Sequence, residues 1–210
     1  MLFSTHDMTL QGNEQAGRLL QPLQGKGDQA TAGPADDKDA VRVERAQAGD
    51  KSVWDEWFED YYRPLFRYSY LRLRSRSEAE DAVSQVFVEA YRGIDRYKHT
   101  GKPLLAWLYR IAHNIIFDRL KAESRRLEAG EDIDLALGDG PEAKIISIDL
   151  LNAIDTLTPE QRDVIILRYF MAMSSLEVGA LLGKKQPAVF SLQSRALASL
   201  RTKLDGVMEL

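Results

Sequence analysis

The stretch that decides the fold is residues 177–189, which read EVGALLGKKQPAV. Two helices that cross closely need a small residue at the crossing and, four positions later, a residue that tolerates left-handed backbone. They also need an apolar anchor six positions after that. Gly179, Gly183 and Val189 stand at this spacing. The stretch therefore predicts a helix-turn-helix, whose second helix can lie in the major groove of DNA.

Two residues depart from the usual pattern of this motif. Lys184 stands where an apolar turn residue is common, and Gly179 forms helix less well than alanine. A plain helical hairpin that ends at a glycine is the alternative explanation. The outward face of the second helix offers Gln193 and the side chains that we predict to contact a duplex. These are Lys184, Lys185, Gln186, Pro187, Phe190, Ser191, Ser194 and Arg195.

The residues around this stretch predict further short helices. Thr158 with Gln161, and Ser174 with Glu177, stand at the spacing of a capping box. Pro159 suits a first helical position. Apolar residues at three- and four-residue steps predict a short helix near 150–157 and a last helix over 187–204. We therefore predict a C-terminal domain over 149–210.

Residues 39–126 also have helical periodicity, with no competing strand pattern. A first helix carries Trp57 and Leu65 on its apolar face, and Pro64 inside that pattern is expected to kink or break it. A second runs from Ser77 to Gly93, with Ser77 and Glu80 as a capping box. A third spans 104–126, with an apolar face formed by Trp107, Leu108, Ile111, Ile115 and Leu120. The fold class that follows is all-α, with two small helical domains.

The remaining segments are polar. Residues 1–38 are rich in Gly, Gln, Asp and Ala and predict a disordered extension. Residues 127–148 contain several glycines and many carboxylates, and they predict an acidic linker. The chain contains no cysteine, which excludes disulfides and thiolate metal sites, and no apolar run long enough to span a membrane. We expect no metal and no cofactor.

A second group of functional candidates lies between Arg96 and Arg126. This segment holds 8 basic and 2 acidic residues, although the whole chain has a net charge of −4. The basic residues alternate with aromatic ones, and single-stranded nucleic acid is bound by cations together with aromatic platforms. For Trp107, an ordinary core residue is the alternative to an aromatic platform.

Taken in order, these segments resemble the extracytoplasmic-function (ECF) group of bacterial sigma factors. Residues 77–87 (SEAEDAVSQVF) are similar to the polymerase-binding region of that family. Residues 106–120 (AWLYRIAHNIIFDRL) resemble its promoter-melting region. Residues 157–169 (LTPEQRDVIILRY) and the helix-turn-helix resemble its second DNA-binding domain. The resemblance covers about residues 40–126 and 148–205.

The resemblance implies roles for particular residues. Core RNA polymerase would be bound through Asp81, Ser84, Gln85 and Phe87, where Ser84-Gln85 replaces the Gln-Glu pair usual in the family. A base flipped from the −10 element would be captured by the loop that contains Arg96, Tyr97, Lys98, His99 and Lys102. Arg110, His113 and Asn114 would hold the opened strand. The second domain would read the −35 element.

It also implies partners and location. These are core RNA polymerase, promoter DNA and an anti-sigma factor, with action in the cytoplasm and no enzymatic activity. The family commonly has a Thr-Val pair and basic residues where this chain has Ala188-Val189-Phe190 and Leu192. The isolated second domain should therefore bind DNA weakly.

Two other functions compete with this one. A helix-turn-helix regulator that acts without polymerase explains the second domain but not the basic-aromatic segment. A helical hydrolase using His99, His113 and Asp118 lacks a nucleophile elbow, a phosphate loop or metal-ligand spacing.

Overall fold

The computed structural model describes residues 35–128 and 148–207. These residues form helices and turns without a strand, which confirms the all-α prediction. They divide into two compact units, the first containing 35–128 and the second 148–207. Most of the predicted N-terminal extension and most of the predicted linker lie outside the described residues.

The first unit contains α1 (Ala35–Gln47), α2 (Ser52–Leu73), α3 (Arg76–Gly93) and α4 (Leu104–Glu128), with a 3-10 turn at Ile94–Arg96 after α3. The start of α1 lies four residues inside the extension predicted for 1–38, because a helix propagates cheaply outward from a turn that is already packed. α2 continues past Pro64, since Leu65 and Phe66, the next two residues, are buried in the core.

The core of the first unit lies between α2, α3 and α4. Trp57 and Leu65 of α2 are fully buried there. On α4 the buried row is Leu104, Leu108, Ala112 and Ile116, together with Tyr109. The predicted face of α4 was therefore partly wrong, because Trp107, Ile111, Ile115 and Leu120 are only half-buried. Packing selects the row that contains the small Ala112, which lets the neighbouring helices approach closely.

The predicted cap of α3 was also wrong by two residues. Ser75 is the N-cap, and its hydroxyl accepts a hydrogen bond from the backbone N–H of Glu78 at 3.4 Å. Ser77 lies inside the helix, and Glu80 pairs with Arg76 at 2.9 Å. The cause is the short connection from α2, where Arg74 has left-handed backbone and donates its N–H to Tyr70.

The second unit contains α5 (Ile148–Asp155), α6 (Pro159–Ile165), a wide π-type turn (Ile166–Phe170), α7 (Ser175–Leu182) and α8 (Gln186–Val207). Both predicted capping boxes are confirmed, at Thr158 with Gln161 and at Ser174 with Glu177. The apolar row Val189, Leu192, Ala196 and Leu200 of α8 is buried, as its spacing predicts.

Candidate nucleic-acid interface

The loop that joins the 3-10 turn to α4 is built against an aromatic pair. The ring of Tyr97 lies on that of Trp107, with centroids 4.4 Å apart. Trp107 is thus half-buried, and its ring packs against the start of the loop through Tyr97. Burial, and secondarily the negative charge of Asp39, raises the pKa of the Tyr97 phenol.

Most of the predicted loop residues lie where a ligand could reach them. Arg96, Lys98 and Lys102 are exposed, while Tyr97 and His99 are half-buried. Three exposed cations therefore lie within seven residues of chain, in the same segment as Tyr97. This arrangement provides charge for phosphates and an apolar surface for a base.

A stripe along α4 continues from this loop. Arg110, His113, Asn114 and Phe117 follow Trp107 at three- and four-residue steps, so they share one side of the helix. Arg110, Asn114 and Phe117 are exposed, and His113 is half-buried with its Nδ1 3.1 Å from the hydroxyl of Tyr68. The predicted strand-holding residues are thus brought together. Phe117 is 53% exposed and stacked on His113. It belongs to the basic-aromatic segment, but the sequence prediction assigned it no role.

The predicted polymerase-binding residues occupy two parts of α3. Asp81, Ser84 and Gln85 are exposed on its outer side, and the side-chain oxygen of Gln85 accepts a hydrogen bond from Arg119 at 3.1 Å. Phe87 is turned toward α2, with its ring centroid 5.1 Å from that of Phe58.

An open apolar groove of about 360 Å³ adjoins Phe87 between α2 and α3. Trp54, Phe58, Val88 and Tyr91 line it, and the exposed fractions of Phe58, Val88 and Tyr91 are 46%, 47% and 57%. A contiguous exposed apolar surface of this kind marks a binding site more often than a structural feature. Sequence reasoning missed this groove because Phe58 and Tyr91 also fit the apolar stripes of their helices.

The crossing of α7 and α8 explains the unusual Gly179. A Cβ atom at this position would lie 2.6 Å from the backbone oxygen of Lys184 and 3.7 Å from a methyl group of Val189. The N–H of Lys184 donates to the oxygen of Gly179 at 2.8 Å, which closes the turn. Gly183 has a φ of 65°, the left-handed backbone that the spacing predicts. Glycine at 179 is therefore required by this crossing.

The outward face of α8 holds only part of the predicted duplex-contacting set. Its exposed members are Lys185, Pro187, Phe190, Ser191, Ser194 and Arg195. Lys184 is instead half-buried and pairs with Glu160 at 2.6 Å.

The two glutamines at this face are also engaged inside the second unit. The amide of Gln186 donates to the hydroxyl of Ser175 at 2.8 Å. Gln193 bonds to Arg168 and to the hydroxyl of Tyr169. These contacts join α8 to α7 and to the π-type turn at Ile166–Phe170. With Lys184 paired to Glu160, the exposed cations of the predicted set are Lys185 and Arg195.

Comparison with known proteins agrees with this pair of units. The family "Sigma-70 region 2" matches residues 57–126, and "Sigma-70, region 4" matches residues 153–202. The ECF RNA polymerase sigma factor BldN of Streptomyces coelicolor is 34% identical over 178 residues, which cover 80% of this chain and 67% of BldN. The chain belongs to the ECF group of sigma-70 factors. As a sigma factor it is a transcription initiation factor and not an enzyme.

Further relatives extend the likeness. The ECF sigma factor SigW of Bacillus subtilis is 29% identical over 178 residues, 78% of this sigma factor and 95% of SigW. The solved structure of CnrH in complex with the cytosolic domain of CnrY is 25% identical with a TM-score of 0.62, and the match covers 80% of this chain and 97% of that one. Among the described residues, no helix is long and apolar enough to cross a bilayer.

Proposed function

We propose that this sigma factor binds core RNA polymerase, directs it to specific promoters and promotes opening of the DNA strands. One observation carries the proposal. A single chain holds the basic and aromatic surface of the Arg96–Lys102 loop and α4 in its first unit and a helix-turn-helix in its second, in the family's order. Because polymerase and promoter DNA meet in the bacterial cytoplasm, we expect the chain to act there.

We assign strand capture to the loop at Arg96–Lys102 and the stripe on α4. Unstacking a base costs a few kcal/mol, and stacking on an aromatic side chain returns about 1–3 kcal/mol per base. We assign base stacking to the Tyr97–Trp107 pair and to the exposed Phe117, and contacts to the strand to the exposed Arg110 and Asn114. The balance is close to even, so polymerase contacts must supply the remaining drive for opening.

We assign −35 recognition to the outward face of α8, with Arg195 reading a base edge, Phe190 touching a thymine methyl group and Lys185 neutralising phosphate. Since Lys184 is paired with Glu160, the cations at this face are few. The fragment 148–210 should therefore bind promoter duplex weakly by itself and contribute mainly when polymerase holds it. Tight binding of the fragment in a gel-shift experiment would contradict this assignment.

We assign polymerase binding to the outer side of α3, with Asp81, Ser84 and Gln85, and to the apolar groove beside it. Val88→Ser should weaken the affinity for core polymerase by about tenfold, because binding would cover a side chain that is 47% exposed in the free chain. Val41→Ser is the matched control, since Val41 is 58% exposed on α1, away from the groove. Equal effects of the two variants would count against the groove.

An anti-sigma protein is a further expected partner. The similar structure of CnrH was solved with the cytosolic domain of CnrY, which supports looking for a protein that binds this chain away from polymerase.

The experiment that tests the function is transcription in vitro with core polymerase on a library of genomic fragments, followed by sequencing of the start sites. We expect a defined set of promoters whose use depends on adding this chain. If the chain binds DNA fragments specifically without core polymerase and yields no new start sites with it, the polymerase-independent regulator is the correct function.

A further inference from the structure

Helix α1 lies before the sigma-70 region 2 match, which begins at residue 57, yet it contacts both ends of the strand-capturing loop. At the start of the loop, the side-chain amide of Gln47 donates to the backbone oxygens of Ile94 and Tyr97, both at 2.8 Å. At the end of the loop, the carboxylate of Asp39 accepts the backbone N–H of Leu104 at 2.9 Å. One helix thus holds the loop at both ends.

The Asp39 contact acts as a helix cap supplied from another helix. The first backbone N–H groups of a helix have no partner within it, and the positive end of the helix dipole favours a carboxylate there. Pro103, the residue before α4, has no side-chain oxygen that could accept such a bond. Asp39 is 5% exposed, and its other oxygen accepts the hydroxyl of Tyr61 at 2.7 Å. Its position is therefore set on both sides.

Helix α1 is in turn attached firmly to α2. The buried guanidinium of Arg42 donates to Glu56 at 2.9 Å and to Asp60 at 2.7 Å. Arg45 pairs with Glu56 at 3.1 Å and with Asp50. The loop is thereby linked through α1 to α2, the helix that also lines the apolar groove proposed for polymerase.

We propose that Asp39 and Gln47 are positioning residues for promoter opening, and this rests on the proposed function. They hold residues 97–103 in the shape that receives an unstacked base, so the loop is ordered before DNA arrives. Ordering a loop costs conformational entropy, and a site that is ordered in advance avoids that cost during binding. Neither residue touches DNA in this role.

The test uses holoenzyme assembled from core polymerase and full-length chain, with single-stranded oligonucleotides of the −10 non-template strand. Gln47→Ala removes both bonds to the start of the loop, and Asp39→Asn removes the charge at its end. Glu44→Ala and Glu44→Gln are matched controls, because Glu44 is exposed on the same helix. We expect each variant at 39 or 47 to bind the oligonucleotide about tenfold more weakly, with unchanged affinity for core polymerase.

A scan with abasic sites separates positioning from general damage to the fold. In wild-type holoenzyme one abasic position should cost the most affinity, because its base is the one captured. In Gln47→Ala and Asp39→Asn that particular penalty should shrink, while penalties elsewhere remain. If Gln47→Ala gives the same abasic-site profile as wild type, the proposal is overturned. If Asp39→Asn also loses affinity for polymerase, the result for Gln47→Ala alone decides. If wild-type chain itself gives no promoter-specific start sites, it is the proposed function that fails.

Discussion

Gly179→Ala should destabilise the second unit, although alanine is the better helix former. The added Cβ would lie 2.6 Å from the backbone oxygen of Lys184. That oxygen belongs to a turn closed by the hydrogen bond from the N–H of Lys184 to the oxygen of Gly179 at 2.8 Å. A flexible side chain could move aside, but a backbone oxygen moves only if the turn opens. The crossing of α7 and α8 must therefore widen.

The magnitude follows from two opposing effects. Replacing glycine with alanine inside a helix gains about 1 kcal/mol. Forcing an extra methyl group into a packed interior costs about 1–3 kcal/mol, and weakening the hydrogen bond of the turn costs about 1 kcal/mol more. The net loss is about 1–3 kcal/mol of the free energy of unfolding, a large fraction of the stability of a small domain.

The assay exploits the distribution of tryptophan. All three tryptophans, Trp54, Trp57 and Trp107, lie in the first unit. In urea titrations of the full chain, tryptophan fluorescence therefore follows the first unit, while far-ultraviolet circular dichroism follows both. We expect Gly179→Ala to leave the fluorescence transition in place and to move part of the dichroism transition to lower urea.

Ala180→Gly provides the scale for this experiment. Ala180 is the next residue of α7 and is exposed, so its replacement costs about 1 kcal/mol by helix propensity. Gly179→Ala should lower stability although its propensity effect has the opposite sign. If Gly179→Ala unfolds at the same or higher urea than wild type, the close crossing is not a constraint and the reasoning is refuted.

Three further predictions concern the cap of α3, an alkaline titration and the outward face of α8. Ser75→Ala should lower the free energy of unfolding of the first unit by about 1 kcal/mol, and Ser77→Ala should leave it nearly unchanged. Urea titration followed by tryptophan fluorescence compares the two variants. A larger loss in Ser77→Ala than in Ser75→Ala would show that Ser77 is the N-cap. Burial, and then the bond to Asp39, raises the pKa of Tyr61 well above its usual value. The unfolded phenol ionises above about pH 10, so stability should fall as pH rises beyond that value. Tyr61→Phe should make the fall shallower in urea titrations between pH 8 and 11, and an unchanged slope would contradict it. Phe190→Ala should change the free energy of unfolding by less than about 0.5 kcal/mol, because Phe190 is 42% exposed. It should nevertheless reduce the protection of the −35 element in footprinting of the holoenzyme. Undiminished protection would show that Phe190 does not contact the −35 element.

The success of the sequence predictions depended on how local each feature is. The capping boxes at Thr158 and Ser174 were predicted correctly, because such a cap involves only neighbouring residues. The cap of α3 was misplaced because the connection from α2, with Arg74 in left-handed backbone, sets where the helix begins. The face of α4 was misjudged because the packing of neighbouring helices decides which of several apolar rows is buried.

The same distinction applies to the candidate sites. The family resemblance grouped Arg110, His113 and Asn114, and the helix period brings them to one side of α4. Lys184 has the charge that a phosphate contact needs, yet it is paired with Glu160, a residue 24 positions away. Whether a polar side chain faces a ligand or a neighbour depends on which residues the fold brings beside it.

The helix-turn-helix at residues 177–189 shows the division most clearly. Its existence, its turn at Gly183 and its anchor at Val189 could be predicted from sequence, because helix period and left-handed backbone are local properties. The need for glycine at 179 could not, because it arises from an oxygen that only the folded turn places 2.6 Å away. The same is true of the loop held by Asp39 and Gln47, whose partners lie 65 and about 50 residues away along the chain. Contacts between residues so far apart in sequence depend on how the helices pack, and local sequence patterns do not determine that packing.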